Sequence, residues 1–460
     1  MKLNYKRTFL VGMAFLSISA FWQLYDSVVP LILKTTYNIG DTWSGVIMSL
    51  DNVLAVFMLP LFGKLSDNLS TPLGKRRPFV LFGTICAVVL MNLLIMAEKS
   101  VVVKEAIPYV AENGSEAVRY VLENGTKAVI PFVIILGFLL LSMGTYRSPA
   151  VALMPDVTPK PLRSKGNAII NLMGALGGVF TLIVTKFLVG TQPDGRADYQ
   201  PLFIAVSCLM VVAVVILLLF VKENKLAAEA AAINRKLDEE EAQKNASAEA
   251  APSAGRLPKE MRISLILILA SVFFWFMGYN AVTTSFTKYV AVRWNYTLGD
   301  AADCLMVGTV AAVLSYLPVG FLSSRFGRKR IIQIGVVILA LAFAVSALFT
   351  TFVSAVYVVF AVIGMAWAMI NVNSYPMVVE ISKNADVGKY TGYYYTFSMS
   401  AQILTPILSG FLLEHVGYHT LMPYAAIMVA ISFVTISLAR HGNSRPQLPE
   451  DKLEVFVDPD

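Results

Sequence analysis

The chain has 460 residues, and its composition excludes an ordinary soluble protein. The apolar residues AVILMFWYC make up 57% of the chain and the charged residues only 15%. Because soluble domains contain about 25% charged residues, this chain has too little polar surface to face water. The formal net charge of +7 could suggest nucleic acid as a partner, but membrane proteins accumulate Lys and Arg in cytoplasmic loops. We therefore expect a lipid bilayer, and no nucleic acid, as the surroundings of this chain.

Apolar runs long enough to cross a bilayer recur along the whole sequence. A membrane-spanning helix needs roughly 20 apolar residues, and about twelve runs meet that length: 8–33, 42–63, 78–97, 129–155, 166–190, 201–221, 262–291, 301–323, 331–350, 353–379, 390–413 and 421–439. Basic residues are about twice as frequent in the loops on the side of the two chain ends as in the opposite loops. This bias predicts a multi-pass plasma (inner) membrane protein with cytoplasmic N and C termini.

Two polar stretches interrupt the apolar runs. Residues 222–260 are rich in Ala, Glu and Lys and then in Ala, Ser and Pro, which predicts a cytoplasmic linker, partly helical and partly disordered. The linker separates a first six-helix bundle (1–221) from a second (261–440), and a cytoplasmic tail (441–460) follows. Residues 98–128 are predicted to form a loop on the side opposite the chain ends. This loop contains a tandem repeat, YVAENGSEAV at 109–118 and YVLENGTKAV at 120–129. We expect this stretch to form a short helical hairpin at the membrane surface.

The two halves of the sequence repeat one another. FWQLYDSVV (21–29) matches FWFMGYNAV (274–282) with a one-residue offset that pairs Tyr25-Asp26 with Tyr279-Asn280. GKLSDNLSTPLGKRR (63–77) matches the shorter GFLSSRFGRKR (320–330), Asp156 corresponds to Glu380, and RSKG (163–166) corresponds to KYTG (389–392). The sequence thus predicts an all-α membrane protein with twelve transmembrane helices in two pseudo-symmetric six-helix bundles. Such parallel repeats hold their substrate near the midplane between the halves.

The loop between the second and third runs carries a family resemblance. Its G-x-x-S-D sequence and basic run resemble the signature of the major facilitator superfamily. The form SD-x6-GKRRP, with Ser66-Asp67 and Arg76-Arg77, is similar to proton-coupled sucrose-type sugar transporters and to glycoside–pentoside–hexuronide:cation symporters. RSPAVALMPDV (147–157) and the RSKGNA turn also resemble that subgroup. The resemblance implies import of a sugar with a cation.

The sequence departs from this subgroup at the positions expected to couple the cation. Sucrose-type transporters carry an acid in the middle of the fourth helix, where this chain has Leu141. Melibiose-type relatives carry acids in the second helix, where this chain has Ala55 and Leu59. The coupling residues therefore cannot be transferred from either relative.

Two acids, Asp26 and Asp51, lie deep inside apolar runs, many residues from either end, and are the candidates for binding the coupling ion. A charged group at the bilayer centre costs about 2.5–3.5 kcal/mol on insertion scales, so an acid there usually has a function. Both acids lie about twelve residues from the turn between their helices, so we expect them at similar depth. Two close carboxylates repel, which favours keeping a proton on one of them. The alternative is that each only bonds a neighbouring helix.

Arg147 is a further charge deep within the apolar runs, and an Arg at this depth needs an anion. If it binds the substrate, an acidic sugar such as a hexuronide is favoured. If it pairs with Asp26 or Asp51, a neutral sugar is favoured. The alternative is that it extends toward the cytoplasmic surface.

Polar and aromatic residues predicted near mid-membrane depth supply the groups that bind sugars. Amides suit sugar hydroxyls and aromatic rings cover the apolar face of a sugar, although any one Trp is more often a packing residue. The candidates for substrate binding are Trp22, Gln23, Tyr25, Arg147, Trp275, Tyr279, Asn280, Trp367, Asn371, Asn373 and Gln402.

Charged residues at the cytoplasmic helix ends form a predicted gate. By the resemblance, they would form ion pairs that lock the outward-facing state, whereas the alternative is solvated surface charge. They are Asp67, Arg76, Arg77, Asp156, Arg163, Arg328 and Glu380.

Other classes of protein lack their sequence signals. The chain has neither the G-x-x-x-x-G-K-[ST] of an ATP-driven pump nor the HExxH of a metalloprotease, so we expect no enzyme, no metal site and no cofactor beyond a co-transported H⁺ or Na⁺. A drug–proton antiporter is the nearest alternative, although the fifth helix has no Gly-Pro signature. A non-transporting sugar sensor is a second. We predict a monomeric symporter that imports a sugar or glycoside, most simply with H⁺.

Overall fold

The protein is seen here as a computed structural model that describes residues 3–110, 116–245, 258–381 and 387–441. In these residues, twelve helices are long and apolar enough to cross a membrane. They are α1 (Tyr5–Thr35), α2 (Asp41–Asn68), α3 (Arg77–Lys99), α4 (Val129–Val157), α5 (Arg163–Leu188), α6 (Gln200–Phe220), α8 (Lys259–Tyr289), α9 (Leu298–Phe326), α10 (Arg328–Ser346), α11 (Ala355–Glu380), α12 (Val387–His415) and α13 (Leu421–Leu438). The predicted all-α membrane fold is confirmed, and each predicted run falls on one of these helices.

The linker contains one further helix, α7 (Glu223–Asn245), which is polar and lies outside the apolar set. Leu226 and Ala230 on α7 are buried against the first half, so this part of the linker packs on the bundle. The part predicted to be disordered falls mainly on 246–257, which lie outside the described residues. The predicted tail also lies outside them, apart from residue 441.

The connection between α3 and α4 corrects a prediction. In place of a helical hairpin it forms an antiparallel pair of strands, β1 (Val103–Val110) and β2 (Glu116–Leu122), in which Ile107 lies opposite Arg119. Both strands are rich in β-branched and aromatic residues, which fit a pleated strand better than a helix. A second, two-residue pair joins β3 (Gly190–Thr191) to β4 (Ala197–Asp198). We call the end of the bundle that carries these strands the hairpin side, and the end that carries α7 the linker side.

Packing inside the two halves follows one plan. In the first half α1 packs against α5 and α6, and α3 packs against α4. In the second half α8 packs against α12 and α13, and α10 packs against α11. Each half has its own large apolar core, around residues such as Phe21 and Phe203 in the first and Phe286 and Phe343 in the second. The repeat seen in the sequence is therefore also a repeat of helix packing.

The halves meet along α2 with α12, α5 with α9, and α1 with α8. On the hairpin side the backbones come very close, because glycines lie at the crossing points. A Cβ atom added to Gly45 of α2 would lie 2.0 Å from the carbonyl oxygen of Pro406 of α12, and one added to Gly410 would lie 2.3 Å from that of Asp41. Small residues allow such close helix crossings in membranes, so these two glycines let the halves approach at this end.

Candidate functional site

Two adjoining cavities lie between the halves. The first, of about 370 Å³, is bounded by α1, α4 and α5 from the first half and by α9 from the second. The other, of about 260 Å³, is bounded by α1 and by α8, α9, α10 and α11. Gln23, Asp26 and Thr309 line both cavities. We call these two spaces together the central site, and Asp26 lies where they join.

Two charged side chains, Asp26 and Arg147, line the central site, and Asp51 lies near them without lining either cavity. Arg147 lines the first cavity, and its guanidinium lies 5.4 Å from the ring centre of Trp22. Arg147 and Asp51 both act electrostatically on Asp26, and Asp51 accepts a 2.9 Å hydrogen bond from the side chain of Asn52. Within the described part of the chain, Arg147 makes no ion pair with either acid. The Arg147 cation therefore lies near both carboxylates and also lines the first cavity.

Polar and aromatic groups complete the two walls. Ser19, Asn171 and Tyr316 line the first cavity beside Trp22 and Gln23. The ring of Tyr279, which lines the second cavity, stacks on that of the core residue Trp367, with 3.7 Å between centres and an angle of 4° between planes. Asn280 lines the same cavity, and its side-chain N–H₂ group has no hydrogen-bond partner among the residues that the structure describes.

Some of the predicted substrate residues lie elsewhere. Tyr25 is buried, donates a hydrogen bond to the carbonyl of Met48 and packs on Phe21 and Trp22. Trp275 is fully buried in the second core. Both rings pack into the cores of their halves, and neither is among the residues that line the two cavities.

The remaining amides also differ from expectation. Asn373 is fully buried and donates to the carbonyl of Met369 in its own helix, and Asn371 is nearly as buried. Gln402 is half-buried on α12. None of these three is among the residues that line the two cavities. A sequence shows that an amide lies within a membrane helix. It does not show whether that amide faces the cavity or a neighbouring helix of the same half.

A buried charge cluster lies at the hairpin side and was not predicted from the sequence, because its residues lie near the ends of the apolar runs, where charged residues are common. Asp41 at the start of α2 is fully buried and lies 2.6 Å from Lys34 Nζ and 2.9 Å from Lys288 Nζ. The hydroxyl of Tyr418 donates to both carboxylate oxygens at 2.8 Å. Lys288 and Tyr418 belong to the second half, so one carboxylate joins the halves. We call these four residues the hairpin-side clamp.

Two further polar contacts cross between the halves near the clamp. Glu414 of α12 accepts the backbone N–H of Thr42 at 2.8 Å. Lys186 at the end of α5 forms a 2.7 Å ion pair with Asp303 of α9. Together with the glycine crossings, these contacts hold α2 against α12 and α5 against α9 at the hairpin side.

The residues of the predicted gate lie on the linker side, and their ion pairs form within each half. Arg76 is buried and bridges Asp67 of α2 and Asp156 of α4. Arg328 pairs with Glu380 at 2.8 Å in the second half. Asp67 has no acidic counterpart in the second copy, so the two networks are unequal.

The other two arginines of the predicted gate bind backbone carbonyls instead of acids. Arg77 donates to Leu73 and Leu218, and Arg163 donates to Thr158. The sequence did not reveal that Glu223 of α7 accepts the backbone N–H groups of residues 75–77 at the start of α3. The linker helix thereby caps the helix that follows the signature loop.

Two similar helical bundles with a polar site between them and a clamp at one end define a membrane transporter of the two-bundle type. The sequence model of the Major Facilitator Superfamily matches residues 9–311 and 291–458. The chain belongs to this superfamily, whose members are transporters and not enzymes.

Curated relatives match a limited part of the chain. The "Sucrose transport protein SUT3" of Oryza sativa subsp. indica is 28% identical over 160 residues, which are 34% of this chain and 30% of that protein. The "Sucrose transport protein SUC3" of Arabidopsis thaliana is 25% identical over 158 residues, covering 34% and 25%. The chain thus matches less than a third of the length of these relatives.

Solved structures share the fold over almost the whole chain. The inward-open xylose transporter XylE from E. coli gives a TM-score of 0.63 at 15% identity, covering 96% of this chain and 97% of that one. The nucleoside transporter NupG gives 0.61 at 16% identity, covering 95% and 100%. A POT family transporter bound to a thioalcohol-conjugated peptide gives 0.64 at 11% identity, covering 94% and 95%. At these identities the comparison establishes the fold alone.

Proposed function

We propose that this chain imports a sugar or glycoside by symport with a cation, most simply H⁺. The observation that carries the proposal is the position of Asp26, which lines both cavities between the halves beside Gln23. A carboxylate placed where two substrate-sized spaces join can bind a proton and sense the solute at the same point.

The walls of the central site have the chemistry that sugars require. Gln23, Asn171 and Asn280 offer amides to hydroxyl groups, and Trp22 and Tyr279 offer aromatic rings. Arg147 supplies N–H donors for a hydroxyl or a carboxylate. The names of the similar curated proteins, which are sucrose transport proteins, agree with a sugar as solute.

The coupling of proton and sugar transport rests on the charges of Asp26 and Asp51. When Asp26 and Asp51 are both ionised, they repel each other in a poorly solvated site, and a proton on one of them relieves that repulsion. A membrane potential of 100 mV supplies about 2.3 kcal/mol per charge, enough for roughly fifty-fold accumulation of a neutral solute per proton at about 1.36 kcal/mol per decade.

The cycle is a rocking of the halves about the central site. In the structure the hairpin side is held by the clamp, which supports a state closed on that side. On the basic-residue bias, the linker side and both termini are cytoplasmic and the membrane is the plasma (inner) membrane. We further propose that one chain suffices for transport.

The test is transport by purified protein in liposomes that contain a pH-sensitive dye. A panel of neutral and acidic mono- and disaccharides is added outside, under a set potential and with or without Na⁺. Sugar-dependent proton uptake is the expected result. Asp26→Asn should abolish proton-driven accumulation but retain sugar exchange, and Asp51→Asn is compared with it. Asp198→Asn, on the hairpin side away from the central site, should behave like the unchanged protein.

Two outcomes would change the proposal. Full accumulation in both Asp26→Asn and Asp51→Asn would remove these acids from coupling. If no sugar elicits a flux but organic cations do, with protons moving the opposite way, the chain is a drug–proton antiporter instead.

A further inference from the structure

An amphipathic groove lies on the linker side of the second half, between α8 and α12. Its volume is about 420 Å³. It shares no lining residue with the two cavities of the central site. The residues that line it are Arg262, Leu265, Ile266, Leu269, Lys389, Tyr390, Tyr393 and Phe397.

The groove is built from one face of each helix. Arg262, Leu265 and Leu269 are spaced by three and four residues, which places them on one face of α8. Lys389 and Phe397 lie eight residues apart and so follow one face of α12. The groove therefore runs along the helices instead of across them.

Charge and apolar surface are separated along this groove. Arg262 and Lys389 are both exposed and lie in the first turns of α8 and α12, at the linker-side mouth. Leu269 lies about 10 Å deeper than Arg262 and Phe397 about 12 Å deeper than Lys389, at 1.5 Å per residue. Two cations at the helix ends are thus followed inward by aliphatic and aromatic side chains.

The walls are only partly covered by protein. Ile266 is 55% exposed and Tyr393 is 40% exposed. Tyrosines at this level are typical of the interface between headgroups and acyl chains. The groove therefore offers an uncovered apolar surface at the depth of the lipid interface, below a pair of cations.

We propose that this groove binds one anionic phospholipid, with its phosphate between Arg262 and Lys389 and the first part of an acyl chain along Ile266, Tyr393 and Phe397. Basic pockets between membrane helices on the cytoplasmic side hold anionic headgroups, and the charge and depth of the groove match the two ends of such a lipid. A free phosphate would use only the mouth and leave the apolar walls uncovered.

The test is native mass spectrometry of the full chain in detergent, titrated with phosphatidylglycerol or with phosphatidylcholine of the same acyl chains. Two cations near a headgroup predict roughly thirty-fold tighter binding of the first bound phosphatidylglycerol. The Arg262→Gln/Lys389→Gln double variant should lose most of that preference. Ile266→Trp, which fills the groove without changing its charge, should weaken binding of the same lipid. Glycerol 3-phosphate, which has the phosphate but no acyl chain, should not displace it.

A matched double variant controls for overall charge. Lys64→Gln/Lys75→Gln removes two exposed linker-side cations from the first half and should keep the preference for phosphatidylglycerol. Equal binding of the two lipids by the unchanged protein would overturn the proposal. So would unchanged selectivity in the Arg262→Gln/Lys389→Gln variant, or equal losses in both double variants.

Discussion

Lys288 Nζ lies 2.9 Å from Asp41 Oδ1, and this ion pair joins the two halves of the protein in a fully buried position. Lys34 binds the other oxygen of the same carboxylate from within the first half. Lys34 lies nine residues after Tyr25, and Lys288 lies nine residues after Tyr279. In the repeat that pairs these tyrosines, the two lysines occupy equivalent positions on α1 and α8, and a single acid serves both.

Asp41→Asn should loosen the closed hairpin side. The exchange leaves the ammonium of Lys288 buried without its counter-charge, and removing one partner of a buried pair costs about 3–5 kcal/mol. The reporter is a cysteine at Ser44, a fully buried residue next to the glycine crossing, with the native cysteines replaced by alanine. We expect a membrane-impermeant thiol reagent to label it at least roughly tenfold faster in Asp41→Asn.

A second substitution, in the second half, should compensate for the loss of the Asp41 charge. Adding Lys288→Met to Asp41→Asn removes the stranded charge and should return labelling toward the slow rate, because replacing a buried ion pair by apolar groups is often neutral. Asp303→Asn, which breaks the partly exposed pair with Lys186, should have a smaller effect. Equal labelling with and without Asp41→Asn would show that the clamp does not hold this side closed.

The number and positions of the membrane-spanning helices could be predicted from the sequence, because crossing a bilayer requires an apolar segment of similar length for every helix. The clamp did not follow, although all of its residues are visible in the sequence. Asp41 and Lys34 lie close to a predicted loop, where solvated charge is the ordinary expectation. Only the crossing of α2 with α12 and of α1 with α8 brings Lys288 and Tyr418 to the same carboxylate and removes water from it.

Arg147→Gln should weaken binding of the transported sugar. The Arg147 side chain lines the first cavity above Trp22 and forms no ion pair with the described acids, so its donors are available to the solute. Hydrogen bonds to charged groups contribute about 1.5–3 kcal/mol, which predicts a KM roughly ten- to hundredfold higher. The measurement is the concentration dependence of uptake into liposomes.

The choice of sugars gives this variant a second readout. If Arg147 binds a carboxylate of the solute, uptake of uronides falls and uptake of neutral sugars does not. If it donates to hydroxyls, neutral sugars are affected as well. Arg235→Gln, at an exposed arginine of the linker helix α7 that pairs with Glu239, serves as the control. An unchanged KM for every transported sugar would place Arg147 outside the binding site.

Glu223→Ala should destabilise the first half. The Glu223 carboxylate is almost fully buried and accepts backbone N–H groups at 2.7 Å from Lys75, 2.9 Å from Arg76 and 3.1 Å from Arg77. A negative group at a helix start accepts hydrogen bonds from otherwise unpaired N–H groups and interacts favourably with the positive end of the helix dipole. Its removal should cost about 1–3 kcal/mol, measured as a lower Tm in detergent.

The same helix supplies the comparison for Glu223. Glu229 pairs with Arg7, but both side chains are about half exposed, and exposed ion pairs contribute about 0–1 kcal/mol. Glu229→Ala should therefore leave Tm nearly unchanged. If the two variants unfold at the same temperature, the linker helix does not stabilise the start of α3 through this cap.

The central site could be predicted in its first half better than in its second. Trp22, Gln23, Asp26 and Arg147 line one cavity, and the sequence indicated Asp26 and Arg147 most clearly because charged residues within apolar runs are costly and therefore rare. In the second half, aromatic and amide residues are spread around the helices, and Trp275 lies in the core while Tyr279, four residues later, lines the site. Side-chain direction there depends on packing between helices, which the residue pattern does not specify.

Tyr279→Ala should raise the KM for sugar more than Tyr279→Phe does. The Tyr279 ring is held flat against Trp367 and forms part of the wall of the second cavity. Alanine removes both the ring that faces the sugar and the support of Trp367, whereas phenylalanine keeps the stacked pair. Aromatic contacts contribute about 0.5–1.5 kcal/mol beyond their buried area, so we expect a KM roughly tenfold higher for the alanine variant and less than about threefold higher for phenylalanine.

The control is Trp43→Ala, at a ring that is 67% exposed, which should leave KM unchanged. Equal losses in both Tyr279 variants would mean that the hydroxyl, and not the ring, binds the solute.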